Sequence, residues 1–155
     1  RFLARFGDPA ACAAAPVGDV IDEWAGLGYN RRAVSLHRTA TAVVAHHGGR
    51  LPSGLADLLA LPGIGPYTAR AVRVFAFERD DAVVDTNVAR ILARLAGRPL
   101  AAAEVQALAD EAVPPGDGWR WNQALLDLGA GWCTARSPGC ATCDTRSQGL
   151  TVSRP

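Results

Sequence analysis

The stretch "LPGIGPYTARAV", Leu61 to Val72, sets Pro-Gly-Ile-Gly-Pro between two apolar runs of helical character. Two glycines and two prolines in five residues are more punctuation than a hinge between helices requires. Gly63 and Gly65 permit positive φ and close approach of a partner to the backbone. Pro66 suits the first turn of a following helix, whose unpaired N–H groups and positive dipole end make an anion site. Ile64 can turn inward to anchor the hairpin, and Arg70 and Arg73, one turn apart, can add positive charge. The turn reads either as a phosphate-holding hairpin or as a plain connection between helices.

Outward from the turn, apolar residues recur at helical spacing. Upstream, Val17 to Gly26 and Tyr29 to His47 read as helices, the second with Ala33, Leu36, Ala40, Val43 and Val44 on one face. After the break "HGGRLP", Ser53 is the expected N-cap of a short helix carrying Leu55, Leu58 and Leu59. Downstream, a helix from about Tyr67 to Phe77 is broken by "FERDDAVVDTNV", and Asp85 or Thr86 can cap the next. There Val88, Ile91, Leu92, Leu95 and Ala96 form an apolar stripe, with Arg90, Arg94 and Arg98 on another face. Helices from about Ala102 to Ala112 and Trp119 to Gly131 follow, and the tail from Cys133 is loop-like. Short runs such as "AVV" lack strand partners, so the expected class is all-α.

Composition bounds the rest. The chain of 155 residues is 49% hydrophobic, enough for one core or one domain of two lobes. Its longest apolar run is far short of a membrane span, and no secretory signal opens it. It starts at Arg1 with no Met anywhere, so Arg1 is expected not to be the natural N-terminus. Net charge is only +1, but all sixteen basic residues are Arg, so no Lys is available to form a Schiff base. Three of the four cysteines, Cys133, Cys140 and Cys143, lie close together, which favours a metal site over a disulfide framework.

Twenty residues beyond Gly65 stands Asp85, in "VVDTNVARIL". Alone, a carboxylate there reads as a helix cap. Paired with "LPGIGPYTARAV" at that distance, it resembles the helix-hairpin-helix DNA glycosylase superfamily, in its endonuclease III and MutY branch. The resemblance extends through "WAGLGYNRRAVSLHRTA", "VVDTNVARILARL" and "WNQALLDLGAGWCTARSPGCATC", most of the chain. "GLGY", the "NQALLDLGA" helix and the Tyr after "GIGP" look like the MutY type, which removes adenine opposite 8-oxoguanine. In endonuclease III the position of Tyr67 is a Lys that attacks the sugar C1′; a Tyr cannot form that imine, so the resemblance implies a monofunctional enzyme.

The implied fold is a two-lobed, N-terminally truncated glycosylase domain, with a six-helix-barrel lobe at about 17–97, its hairpin at 61–69, and a second lobe from about 1–16 plus 98–155. The implied partner is double-stranded DNA with a base flipped into a pocket between the lobes. The protein is expected to be a monomer of the bacterial cytoplasm, at the nucleoid. Asp85 matches the aspartate that stabilises an oxocarbenium-like transition state. Gly63, Ile64, Gly65, Tyr67 and Thr68 match the DNA-holding hairpin, Tyr29 the wedge into the base stack, Arg31 and its neighbour Arg32 a phosphate contact, and Asn87 a phosphate or sugar contact.

Two departures stand out. The general-acid Glu and the lesion-probing Gln of the family fall in a segment that would precede Arg1, and neither Glu23 nor Glu78 sits where it could replace that Glu; impaired excision is expected. The family's [4Fe–4S] cluster uses C-x6-C-x2-C-x5-C, and Cys133, Cys140 and Cys143 keep the first three places while Gly149 holds the fourth. Cys12 matches no ligand position, and Asp144 is too close to Cys143 to serve. A complete cluster, a [3Fe–4S] variant, zinc or an empty site remain open. The family's C-terminal reader of 8-oxoguanine has no counterpart before Pro155. The alternatives to an adenine glycosylase are a non-catalytic helix-hairpin-helix DNA-binding module, or an endonuclease III-like or thymine-mismatch glycosylase.

Overall fold

The computed structural model describes residues 1–140 and 143. The described residues form helices and no strands: α1 (Phe2–Arg5), α2 (Pro9–Ala14), α3 (Val17–Glu23), α4 (Arg31–His47), α5 (Leu55–Ala60), α6 (Pro66–Phe77), α7 (Thr86–Leu95), α8 (Ala102–Ala112) and α9 (Gly118–Gly131). The all-α class is as expected, and none of these helices is long and apolar enough to cross a membrane. Asp144 and Gly149 lie outside the described residues.

Local chemistry sets the limits of these helices, and corrects several expectations. The side chain of Asp8 accepts from Ala11 N–H at 2.8 Å, capping α2 with Pro9 in its first turn. α3 stops at Glu23, before the expected Gly26, because the chain turns through Gly26 (φ +89°) and Gly28 (φ +73°). α4 begins at Arg31 rather than Tyr29, since Tyr29 itself is left-handed at φ +51°. Its other end is closed by Gly48, with Gly49 N–H returning to Val43 C=O at 3.1 Å. The N-cap of α5 is Gly54, not Ser53. Glu78, just beyond α6, holds φ +51° at a position glycine usually takes.

Contacts divide the chain inside α6 into two units, 1–69 and 70–155. The lobe limits implied by the resemblance, near residues 17 and 97, are a separate expectation. In the first unit α4 is the central element, with α2 and α3 packed on it. The core there joins Phe6, Cys12, Val20, Ala33 and Ala40, with Phe2 and Trp24 edge to face at 5.5 Å on its border. Ala33, Ala40 and Val43 of the expected α4 face are buried, but Leu36 and Val44 are exposed and Thr39 is buried instead. The Thr39 hydroxyl is satisfied by donating to Pro62 C=O at 2.6 Å.

In the second unit α8 and α9 both pack on α7. The expected apolar stripe supplies Val88 and Ile91 to the core, beside buried Val74, Ala82, Val83, Val105 and Ala109. Gly129 lets α9 approach α7 closely: a Cβ there would meet Asn87 Cβ at 2.6 Å. Asn122 is the buried polar residue among the described residues of this unit. Its Oδ1 accepts from Val83 N–H at 2.7 Å, and its Nδ2 donates to Asp81 C=O and Gly118 C=O, each at 2.8 Å. One side chain thus ties the extended approach to α7 onto α9.

Candidate functional site

In the first unit the hairpin runs from Leu61, which ends α5, to Pro66, which starts α6. Gly63 is doubly specified: its φ is +79°, and a Cβ would lie 2.6 Å from Ser35 Cβ on α4. Gly65 differs. A Cβ there meets nothing within 4 Å, so the backbone is open to an approaching partner. Ile64 is half-buried, in keeping with an anchoring role, and its N–H returns to Leu61 C=O at 3.2 Å. The bond from Ala69 N–H to Gly65 C=O, 2.9 Å, leaves the amides of Gly65, Tyr67 and Thr68 ahead of it, in the helix's first turn, where no intrahelical acceptor exists. Tyr67 and Thr68 are exposed.

The second feature of this unit is the turn at Gly26–Asn30. Tyr29 is 84% exposed in its left-handed conformation, and Leu27 is also exposed. The turn is braced from behind: the Trp24 indole N–H donates to Gly28 C=O at 2.9 Å, and the Arg32 guanidinium lies over the Trp24 ring at 5.3 Å. Of the expected arginine pair, Arg32 is therefore part of the brace, and Arg31 points its charge outward from an exposed site.

In the second unit Asp85 is the N-cap of α7. Its Oδ1 accepts from Asn87 N–H and Val88 N–H, both at 2.8 Å, and its Oδ2 from Asn87 Nδ2 at 3.0 Å. The carboxylate is half-buried and held against the positive end of a helix. Asn87 is engaged on both ends of its amide, since its Oδ1 accepts from Arg90 Nη2 at 2.9 Å. Arg90 also donates to Gly129 C=O and, through Nε, to Cys133 C=O, each at 2.9 Å. The expected positive charge of Arg70 and Arg73 is not free for a phosphate: Arg70 forks onto Asp110 at 2.6 and 3.2 Å, and Arg73 pairs with Asp81. The Asp81 contact holds the Arg73 guanidinium above its ordinary pKa.

The cysteine loop follows α9. Cys133, Cys140 and Cys143 line one cavity of about 30 Å³ with Ile91, Leu128 and Trp132. Among the described residues no three His, Cys, Asp or Glu side chains converge to hold a metal ion. Arg94 Nη1 donates to Cys133 Sγ at 3.2 Å and to Thr134 C=O at 2.9 Å, closing the loop onto α7. Cys12 is buried in the core of the first unit, where burial pushes its thiol pKa up. A four-thiolate cubane therefore does not fit the donor set this chain supplies. Sequence reading placed the cysteines but missed Arg90, Arg94 and Asn122; the 90/94/98 stripe was the available signal for the arginines, and a lone Asn in a helix gives none.

The glycine-turned helix pair and the capping aspartate both fall inside a stretch that matches a known superfamily. Residues 1–115 match the HhH-GPD superfamily of base excision DNA repair proteins, and the chain belongs to that superfamily. Among particular relatives, it is 41% identical over 153 residues to the adenine DNA glycosylase of Mycobacterium tuberculosis, covering 92% of this chain and 49% of that protein. The chain spans about half the length of its mycobacterial relatives. It matches the solved structure of a thermostable thymine-DNA glycosylase with a TM-score of 0.89 at 30% identity, covering 94% of this chain and 70% of that one. A non-covalent endonuclease III–DNA complex matches with a TM-score of 0.85 at 24% identity, over 95% of this chain and 70% of that one, a likeness of fold alone.

Proposed function

We propose that the chain is the core of a monofunctional DNA N-glycosylase that removes adenine paired with 8-oxoguanine or guanine. The observation that carries this reading is the fixed carboxylate of Asp85, oriented by two backbone amides and by Asn87. The substrate assignment leans on the adenine glycosylase relatives, at 41% identity.

In the proposed reaction the open amides at Gly65, Tyr67 and Thr68 take the phosphate backbone, Arg31 adds charge, and the exposed Tyr29 enters the stack as the adenine flips out. The C1′–N9 bond breaks with its electron pair leaving on the base, which takes a proton at N7 from a general acid. The sugar is left with oxocarbenium character, which Asp85 faces; water then adds at C1′ and loses a proton. A carboxylate held rigid before charge develops needs no reorganisation when it does. Tyr67 offers no amine, so the reaction ends at base release. Glu23 is committed to Arg1 and Arg5, and Glu104 to Arg98, so neither is assigned as general acid. The 155 residues alone are proposed to excise slowly. Action as a monomer at the bacterial nucleoid completes the proposal.

The test is single-turnover adenine release from a duplex holding one 8-oxoguanine:A pair, with full-length protein and its Asp85→Asn variant. A loss of about 100-fold or more with unchanged DNA affinity is expected; equal rates refute the role of Asp85. Likeness to the thymine-DNA glycosylase structure favours a second reading, a thymine-mismatch enzyme. Release of thymine from a G:T duplex in preference to adenine selects it.

A further inference from the structure

The cysteine loop keeps the spacing of a cluster site but not its donors. In this chain the fourth place of C-x6-C-x2-C-x5-C is Gly149, and Cys12 is committed to the core of the other unit. The three remaining cysteines border one cavity together with Ile91, Leu128 and Trp132. Among the described residues they do not converge as a metal site.

Something else holds the loop. Cys133 N–H returns to Leu128 C=O at 2.7 Å and Gly139 N–H to Trp132 C=O at 2.8 Å, so the chain closes on itself after α9. Across it lie two arginines one turn apart on α7. Arg90 Nε takes Cys133 C=O at 2.9 Å. Arg94 takes Cys133 C=O at 3.3 Å, Cys133 Sγ at 3.2 Å, Thr134 C=O at 2.9 Å and Ala135 C=O at 3.3 Å. Three successive carbonyls that point at one side would repel each other; the Arg94 guanidinium meets them with its two terminal nitrogens, Nη1 toward Cys133 and Thr134 and Nη2 toward Ala135. Beneath them Ile91, Leu95, Leu128, Trp132 and Pro138 give the loop an apolar floor.

We infer that in this chain Arg94, supported by Arg90, replaces the iron–sulfur cluster as the tie that holds the 133–140 loop on α7, and that the second unit folds without iron. The tie is structural and independent of the glycosylase reading. A lysine could not replace it in full, because one ammonium cannot serve the Cys133–Thr134 side and Ala135 C=O together, as Nη1 and Nη2 do.

The test uses the whole 155-residue chain, produced with iron supplementation and handled without oxygen. Expected are substoichiometric iron and acid-labile sulfide, no thiolate-to-iron absorbance, and a melting temperature unchanged by a strong iron chelator. Cys133→Ser should melt within about 2 °C of the parent, whereas Arg94→Lys and Arg94→Ala should melt about 4 °C or more lower. Should Arg94→Ala fail to fold, the Cys133→Ser and chelator arms decide the matter alone. Iron and sulfide in cubane proportion, with absorbance lost in Cys133→Ser, overturn the inference. So does unfolding on chelation, or an Arg94→Lys variant as stable as the parent.

Discussion

The hairpin at Gly63 and the loop at Cys133 are both short motifs with fixed spacing, yet different things hold their shape. The hairpin is fixed chiefly by its own backbone, with one brace from α4: Gly63 sits at φ +79° with no room for a Cβ against Ser35, and Thr39 donates to Pro62 C=O. Its side chains, Tyr67 and Thr68, are left facing solvent. The cysteine loop is fixed from outside, by arginines that lie 39 to 43 positions earlier in the chain. A motif of the first kind carries its geometry wherever its glycine goes. A motif of the second kind can keep its spacing while its chemistry changes, because the ties are elsewhere.

Substitution separates the two kinds. The largest effect is expected at the hairpin, where Gly63→Ala adds a Cβ in a left-handed position against α4; a loss of about 2–4 kcal/mol in urea unfolding is expected. A loss under about 1 kcal/mol would show that the hairpin, too, borrows its shape from its neighbours. Close behind comes Asn122→Ala, which strips Val83 N–H and two carbonyls of their partner and should cost about 2–3 kcal/mol. Asn122→Asp keeps the acceptor for Val83 N–H but loses both donors, and should not recover the parent's stability.

Smaller effects sharpen the contrast. Glu78 is the left-handed closing residue of α6, where Arg79 N–H returns to Arg73 C=O at 3.0 Å, so Glu78→Gly should raise stability by about 1 kcal/mol, read as a higher urea midpoint at unchanged slope. The smallest effect is electrostatic. The Arg98 guanidinium holds the Glu104 carboxyl below its ordinary pKa. Its contribution is then present above the unfolded-state pKa and disappears as pH falls through the folded one. Glu104→Gln should lower the melting temperature slightly in the neutral range and converge on the parent below about pH 4.5, which flattens its acid-side decline.

These differences also explain which parts were legible in the sequence. α8 is found within its expected limits, Ala102 to Ala112, and the break after His47 is found because two consecutive glycines announce it. The hairpin and the cap at Asp85 are local events, spelled by adjacent residues. Tyr29 and Glu78 hold left-handed conformations that their side chains do not announce. Leu36 and Val44 fit the apolar period of α4 but face outward, because period alone does not say how wide the buried face is. Asn122 looks like any polar helix residue until Val83, 39 positions away, is seen to need an acceptor. Arg90 and Arg94 stand out in the sequence only as a stripe on another face, because their partners in the cysteine loop lie 39 to 43 positions away.

Asn122 bears on how this protein can be taken apart. The superfamily match ends at residue 115, a natural place to cut if that match marked the edge of a folding unit. A cut there would remove Asn122 and, with it, the partners of Asp81 C=O and Val83 N–H. It would also separate Asp80 from Gly116 N–H and Gly118 N–H, which its carboxylate accepts at 2.7 and 3.1 Å. The segment that leads into Asp85 would then lie beside no helix at all on that side. The edge of the family match and the edge of cooperative folding are therefore different residues here, and a dissection of the second unit has to keep α9.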